Sequence, residues 1–139
     1  ADASLAARAG RERASCDDHV ESPAGFRGHV DNDRFAELAF TAALGGTLHG
    51  FAGYFHCDLH GGVSISTNAA TRSVGMFSWF EAYLPLQTPV AVRTGEEVVV
   101  RVWRRSDAKR TRVWYEWALA SPVATPVHNP GGRSYWIGL

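Results

Sequence analysis

The sequence contains little lysine, methionine or cysteine, and it lacks a long apolar run. Of its 14 basic residues only Lys109 is a lysine, and Met76 is the single methionine. No stretch approaches the roughly 20 consecutive apolar residues of a membrane-spanning helix. No basic segment followed by an apolar one opens the chain like a secretory signal. Because no methionine stands at its start, we expect the chain to be a piece of a longer protein.

An excess of charge of either sign is also lacking. The 14 Lys and Arg residues balance 14 Asp and Glu residues, and the sequence pI is about 7.2. No overall electrostatic field therefore draws the chain to nucleic acid or to a membrane surface. Its 139 residues, 45% hydrophobic and 20% charged, suit one globular domain. A domain of this size buries a core without needing a metal or a disulfide.

Cysteine is represented only by Cys16 and Cys57. One disulfide between them is possible, but we favour two free thiols in a reducing compartment. Cys57 also stands near His49, His56 and His60, and together they form the densest group of potential metal ligands. Their spacing matches no common zinc pattern, and His56 and Cys57 would point to opposite faces of one strand. We therefore predict no metal site.

Short apolar stretches separated by turn residues dominate the chain after residue 35, and this period of two is typical of strands. The clearest apolar rows are Val98, Val100 and Val102, and Val113, Tyr115, Trp117 and Leu119. Gly50 and Gly53 interrupt another stretch and predict a bulge or a close backbone approach. We predict an all-β domain over residues 31–139, an antiparallel barrel or sandwich. Residues 1–30 are predicted to form a divergent lead-in, irregular or briefly helical.

A polar turn between two of these stretches concentrates positive charge. We call residues 101–114 the basic hairpin. Its basic residues are Arg101, Arg104, Arg105, Lys109, Arg110 and Arg112. Because Trp103 and Trp114 stand beside them, the hairpin could bind single-stranded RNA by charge and stacking. We favour a solvated hairpin tip whose tryptophans lie in the core, since one turn gathers charge without forming a groove.

No complete set of catalytic residues is recognisable in the sequence. The G-x-S-x-G elbow, the P-loop and the G-x-G-x-x-G motif are all absent. Glu96 and Glu97 are adjacent and would diverge on a strand, so we do not expect paired acid–base chemistry from them. We therefore predict that this chain supplies no catalytic residue.

The stretch SVGMFSWFEAYLPL at residues 73–86 surrounds Ser78 with large apolar side chains. Within it, Trp79 has two interpretations. Most tryptophans are largely buried, so residue type alone favours a packing role. The alternative is that the electron-rich face of the indole receives a cation such as a guanidinium, a contact worth about 0.5–2 kcal/mol.

Five blocks of the sequence resemble one known family. DNDRF, LHGFAGYF, GMFSWF, VWYEWA and HNPGGRSYWIGL occur in the same order as in the C-terminal domain of the protein arginine N-methyltransferase 5 family. The resemblance covers Asp31 to Leu139, whereas residues 1–30 match poorly. It implies that this chain is the β-barrel domain, on the substrate side, of an enzyme that forms symmetric dimethylarginine (type II).

The resemblance also implies what this chain does not contain. The complete family member has a TIM barrel and a Rossmann-like domain, and the latter holds S-adenosylmethionine and two catalytic glutamates. No cofactor-binding residue is therefore expected in this chain, and the isolated chain is expected to be inactive.

A substrate site is implied at Phe77, Ser78 and Trp79. In this family the tryptophan lies against the substrate guanidinium, and the two residues before it shape the loop. The serine stands where related enzymes that make asymmetric dimethylarginine have a histidine. We hypothesise that the smaller, uncharged side chain changes how the second methylation is oriented.

Partners and location are implied by the same resemblance. They are arginine-containing substrates such as histone tails and RNA-binding proteins, a second copy of the enzyme and a WD-repeat subunit, in the cytoplasm and nucleus. No membrane contact and no direct nucleic-acid contact are expected. The competing hypotheses are an independent β-sandwich module that binds RNA or peptide through the basic hairpin, and a sandwich whose aromatic residues face a peptide or a sugar.

Overall fold

The computed structural model describes residues 33–139. Eight strands account for nearly all of the regular structure there, and every strand pair is antiparallel. The strands are β1 (Arg34–Thr41), β2 (Gly46–Gly53), β3 (His56–Asp58), β4 (Ser64–Ser66), β5 (Ala82–Val92), β6 (Glu97–Ser106), β7 (Arg112–Ser121) and β8 (Ile137–Gly138). A 3-10 turn occupies Pro130–Gly132. The prediction of an all-β antiparallel fold is confirmed.

The strands form three sheets that do not close into a barrel. The largest has the order β1-β6-β7-β8, and two small sheets pair β2 with β5 and β3 with β4. Within residues 33–139 the large sheet ends at β1, which pairs with β6 alone. Of the two predicted architectures, the sandwich-like one is therefore confirmed, and these strands do not form the closed barrel.

The core lies between one end of the large sheet and the β2–β5 sheet. Its buried members are Ala42, Leu48, Leu86, Val90, Val92, Val98 and Leu119. Phe40 and Phe51 pack against this cluster with their rings stacked 6.5 Å apart. Because each buried Leu or Val contributes about 1.5–3 kcal/mol, this contact is what holds the two layers together.

The apolar row predicted on β7 is buried only in part. Trp117 and Leu119 are 8% and 1% exposed, but Tyr115 is 39% exposed. The register places Tyr115 opposite Arg104 and Leu119 opposite Val100. Tyr115 lies outside the core cluster that contains Leu119.

Gly50 allows β2 to approach β5 closely. A Cβ atom at this position would lie 2.6 Å from the carbonyl oxygen of Leu84, closer than real Cβ contacts. The strand register also shifts between Leu48 and Gly50. The predicted bulge and close approach are confirmed at Gly50, whereas a Cβ at Gly53 would meet its nearest neighbour at an ordinary 3.6 Å.

Two hydrogen bonds join the large sheet and its following loop to β5. The Trp117 indole N–H donates to the carbonyl oxygen of Pro85 over 2.9 Å. The backbone N–H of Gln87 donates to Nε2 of His128 over 3.0 Å. The rings of Trp117 and His128 stack, with centroids 5.7 Å apart. This edge of the two-layer core is thus fixed by polar contacts of defined geometry.

Asn129 organises the C-terminal turn predicted from HNPGGR. Its backbone is left-handed, with φ of 52°, a conformation that asparagine tolerates better than most residues. The buried side chain donates to the carbonyl oxygens of Tyr115 and Tyr135 and accepts from the amides of Ser134 and Tyr135. The final segment is therefore held against β7 by one amide group.

No helix within residues 33–139 has the length and the apolar character that crossing a bilayer requires.

Candidate functional site

Four exposed apolar side chains belong to one connection, which we call the aromatic loop (residues 67–81, between β4 and β5). Val74, Phe77 and Phe80 are 103%, 87% and 73% exposed, and Trp79 is 52% exposed. Exposed apolar groups that adjoin one another mark binding surfaces more often than isolated ones do. The packing interpretation of Trp79 therefore does not describe this structure, because the residue lies outside the buried core.

A cluster of hydroxyl groups fixes the base of the aromatic loop. Ser66 and Thr67 are each 1% exposed. The Phe55 amide donates to the Thr67 hydroxyl over 3.0 Å, and the Thr67 amide donates back to the Phe55 carbonyl oxygen. Ser66 and Ser73 exchange two further bonds, and the hydroxyls of Ser66 and Thr71 lie 2.9 Å apart. The loop therefore leaves the β3–β4 sheet from a rigid base.

The Trp79 indole is backed on one side by Phe55. Their ring centroids are 5.2 Å apart at an interplanar angle of 56°, within the range of favourable tilted aromatic pairs. Since the residue is still 52% exposed, part of the indole remains open to solvent. A planar cation could lie against such a surface.

The side chain of Arg72 forms hydrogen bonds with three groups of the aromatic loop, and we call these contacts the brace. Its Nη2 donates to the carbonyl oxygens of Trp79 and Met76, at 2.7 Å and 3.3 Å, and its Nη1 donates to Glu81 at 3.3 Å. Sequence reasoning missed this residue. The available signal was an arginine and a glutamate that flank an otherwise uncharged aromatic stretch.

The other two residues of the predicted substrate site lie next to Trp79 on the same loop. Phe77 and Ser78 are both exposed, and the Phe77 amide donates to the Gly75 carbonyl oxygen over 3.1 Å. Gly75 has a φ of +83°, which favours glycine. The three predicted substrate residues thus form one exposed turn.

Three arginines of the basic hairpin contact acidic or aromatic side chains of the same domain. Arg101 pairs with Glu37 at 2.7 Å and Arg105 with Asp33 at 3.3 Å, while the guanidinium of Arg112 lies 4.3 Å from the ring centroid of Trp136. Two of the six positive charges predicted for an RNA surface are therefore offset by acidic neighbours.

The hairpin tryptophans are not in the core, and this corrects the expectation made for them. Trp103 and Trp114 are half-buried. Trp103 lies opposite Phe35 in the strand register, with ring centroids 5.3 Å apart. They alternate with core residues such as Val113 along the strands, so they face the opposite side of the sheet.

Two carboxylates near the hairpin have a lowered pKa. Desolvation acts to raise the pKa of Asp33, but hydrogen bonds from the Ser106 hydroxyl and amide and from Arg105 outweigh it. At Asp107, desolvation is likewise outweighed by bonds from the Arg112 amide and from the hydroxyl and amide of Thr111. Both groups order backbone at the hairpin, and neither lies near Trp79 in sequence.

Glu96 and His56, for which neither catalysis nor metal binding was predicted, each make a short polar contact. Glu96 accepts from the Arg93 amide at 2.7 Å and closes the β5–β6 turn. His56 contacts Asp58 at 3.1 Å. Across residues 33–139, no three His, Cys, Asp or Glu side chains are grouped as a metal would require. The question of a Cys16–Cys57 disulfide involves a residue outside the described ones.

The described residues thus form an open antiparallel β domain that exposes an aromatic loop. Comparison with known proteins then gives its family. The chain belongs to the family described as the PRMT5 oligomerisation domain, whose model matches residues 13–137. The resemblance drawn from the five sequence blocks is thereby confirmed.

Individual relatives agree with this assignment. The chain is 47% identical over 110 residues to protein arginine N-methyltransferase 5 of Xenopus laevis, covering 79% of this chain. It is 41% identical over 114 residues to the protein of that name from Oryza sativa subsp. indica, covering 80%. Identity is 36% over 121 residues with protein arginine N-methyltransferase skb1 of Schizosaccharomyces pombe, covering 77%.

The chain spans about a sixth of these relatives, namely 17%, 17% and 19% of their lengths. The family match begins at residue 13, inside the segment 1–30 that was predicted to be a divergent lead-in. Because residues 1–32 lie outside the described part of the chain, the boundary between lead-in and domain stays a prediction.

Proposed function

We propose that this chain is the substrate-side and assembly domain of an enzyme that transfers methyl groups from S-adenosylmethionine to arginine side chains of proteins, with symmetric dimethylarginine as product. The names of the relatives and of the family support the activity and the assembly role. The observation that carries the proposal is Trp79, whose indole is backed by Phe55 and is still half exposed on a fixed loop.

The proposed role of Trp79 is to orient the substrate guanidinium. A planar cation against an indole face gains about 0.5–2 kcal/mol and is held in one plane. Holding the reacting nitrogen toward the methyl sulfonium supplies several more kcal/mol of barrier reduction through positioning. Phe77 and Ser78 belong to the same turn, and Ser78 leaves room beside the guanidinium for a second methylation.

The donor and the catalytic carboxylates are proposed to lie in the part of the enzyme outside this chain. The isolated chain should therefore be inactive. Calorimetry of the chain with S-adenosylmethionine should give no binding heat above dilution. Tight binding would contradict this division of labour.

The assembly role implies a second copy of the enzyme as partner, in keeping with the family's description as an oligomerisation domain. Further proposed partners are a WD-repeat subunit and arginine-containing substrates such as histone tails and RNA-binding proteins, met in the cytoplasm and nucleus. Size measurement of the longer protein, with and without residues 67–81 replaced, would show whether the aromatic loop is part of that assembly.

The decisive variant is Trp79→Ala in the longer protein. Loss of both stacking and orientation should lower turnover on an arginine peptide by about 100-fold or more. Affinity for the methyl donor should stay within about twofold, because this residue does not touch the donor in the proposed arrangement. Trp79→Phe is the matched control and should retain more activity than alanine. Wild-type turnover by Trp79→Ala would refute the proposed role.

A further inference from the structure

We propose that Arg72 is a positioning residue for Trp79, so that substrate affinity depends on a side chain that does not touch the substrate. This inference rests on the proposed function of Trp79. Arg72 contacts the Trp79 carbonyl oxygen at 2.7 Å, the Met76 carbonyl oxygen at 3.3 Å and Glu81 at 3.3 Å. One guanidinium is thus hydrogen-bonded to three groups of the loop that carries the Trp79 indole.

The brace joins the two ends of the exposed turn. Arg72 directly precedes Ser73, whose backbone amide donates to the carbonyl oxygen of Ser66 in β4 over 3.0 Å. Glu81 directly precedes β5, which begins at Ala82. The Arg72–Glu81 contact therefore links the β3–β4 sheet to the β2–β5 sheet across the base of the turn, and the residues between them form a clamped loop.

Arginine suits this arrangement better than lysine does. A guanidinium presents five N–H donors in a planar fork, whereas a lysine ammonium is a compact point charge on a flexible stem. Here Nη2 serves two backbone carbonyl oxygens, and Nη1 serves the carboxylate. The carbonyl oxygens of Met76 and Trp79 lie outside the strand ladders, and Arg72 donates to both.

Charge argues for a supporting role and not for direct binding. The substrate is itself a guanidinium, and a second cation beside it would repel it. Glu81 offsets the charge of Arg72, and both side chains are about one-third exposed, at 33% and 36%. The guanidinium of Arg72 points to the loop backbone, while the Trp79 ring contacts Phe55.

The effect should appear in substrate affinity and hardly in overall stability. Ion pairs at the surface contribute little to folding. A binding-competent loop conformation that is populated only in part, however, weakens apparent affinity in proportion to its population. Removing the brace should therefore raise the KM for the arginine peptide and leave the melting temperature within about 2 °C.

The test uses the longer protein with Arg72→Met, Arg72→Lys and Glu81→Gln. We expect the peptide KM to rise about tenfold for Arg72→Met and about threefold for the other two, with the donor KM unchanged. Arg93→Met is the matched control, because Arg93 is an exposed arginine in the β5–β6 turn, and it should match wild type. Should Arg72→Met fail to fold, Arg72→Lys and Glu81→Gln decide the question.

A spectroscopic measurement separates positioning from a general loss of structure. The protein is labelled with 5-fluorotryptophan, and Trp79→Phe identifies the Trp79 ¹⁹F signal by its disappearance. In Arg72→Met this signal should shift or broaden while those of Trp103 and Trp114 stay in place, with partial recovery in Arg72→Lys. A wild-type peptide KM with an unmoved Trp79 signal overturns the inference, as does an equal rise in peptide and donor KM.

Failure of this inference is distinguishable from failure of the proposed function. If Trp79→Ala abolishes turnover and Arg72→Met behaves as wild type, Trp79 acts without the brace and only the role of Arg72 is refuted. If Trp79→Ala retains turnover, the proposed function itself fails, whatever Arg72→Met does.

Discussion

The basic hairpin and the aromatic loop combine the same residue types, arginine and tryptophan, with opposite results. In the hairpin, Arg101 and Arg105 pair with carboxylates of the same domain, and Arg112 lies over an indole. In the loop, Arg72 is bound to backbone carbonyl oxygens, and the Trp79 indole is left half exposed. The arginines of the hairpin thus contact side chains of the same domain. In the loop, Arg72 instead holds the backbone that carries an exposed aromatic ring.

Backbone pairing determines which partners remain for a side chain. In β6 and β7 the carbonyl oxygens are bonded across the sheet, so an arginine such as Arg101 finds a cross-strand partner, Glu37, directly opposite. In the aromatic loop no strand pairs with the turn at Met76 and Trp79, and Arg72 takes over that role. Four predictions test this contrast, from the largest expected effect to the smallest.

Trp117 and Trp79 should differ most in their effect on stability. Trp117 is 8% exposed and bonded to Pro85, so Trp117→Ala should lower the free energy of unfolding by about 3–5 kcal/mol. Trp79→Ala removes a half-exposed ring and should cost less than about 1 kcal/mol. Urea unfolding of this chain gives both values. Comparable losses in the two variants would mean that Trp79 is a core residue after all.

Gly50 tests the β2–β5 sheet that carries one end of the aromatic loop. Gly50→Ala forces a Cβ atom to 2.6 Å from a backbone oxygen and should destabilise the chain by about 1–3 kcal/mol. The matched control is Gly53→Ala, whose Cβ has ordinary contacts and should cost less than about 0.5 kcal/mol. Equal melting temperatures for the two variants would argue against the close approach of β2 to β5.

Acid should weaken the hairpin through Asp107. Its pKa is lowered in the folded chain, so its stabilising effect is complete above the unfolded pKa and is lost as pH falls through the folded one. Asp107→Asn should therefore lower the urea midpoint at pH 7, and the difference from wild type should shrink below about pH 4. A difference that stays constant from pH 7 to pH 2.5 would show that the carboxylate charge is irrelevant.

The smallest effect is expected for nucleic-acid binding by the hairpin. Arg105 is paired with Asp33, and Arg104 also has contacts within the domain. Arg104→Ala combined with Arg105→Ala should change the affinity for single-stranded RNA by less than about twofold. Salt-dependent binding that drops strongly in this variant would instead support the RNA-binding alternative.

Much of the fold was predictable because period-two alternation reports directly on strands. Val98 and Val100 are buried as the alternation predicts, and Gly50 marks a bulge as a strand glycine often does. Whether the strands close into a barrel was not predictable from the sequence. Alternation identifies which residues share a face of a sheet but does not say how sheets join. Tyr115 shows the same limit, because alternation places it on one face with the buried Trp117 and Leu119, and it is still 39% exposed.

The residues of the candidate site were predicted by resemblance more than by chemistry. Residue type alone favoured burial of Trp79, because most tryptophans are largely buried. That average carries no information on a particular loop. Arg72 was missed because its contacts depend on how the loop folds back, and no period or spacing specifies that. Asn129 was read only as part of a turn, although its left-handed backbone and four hydrogen bonds place it at the centre of the C-terminal segment.

The most direct measurement follows the Trp79 ¹⁹F signal of the longer protein while an arginine peptide is added in the presence of a donor analogue. We expect a saturable shift of that signal with unmoved signals for Trp103 and Trp114, and no shift with a peptide in which lysine replaces the arginine. An unmoved Trp79 signal at saturating peptide, or an equal shift with the lysine peptide, would contradict the claim that this indole receives the substrate guanidinium.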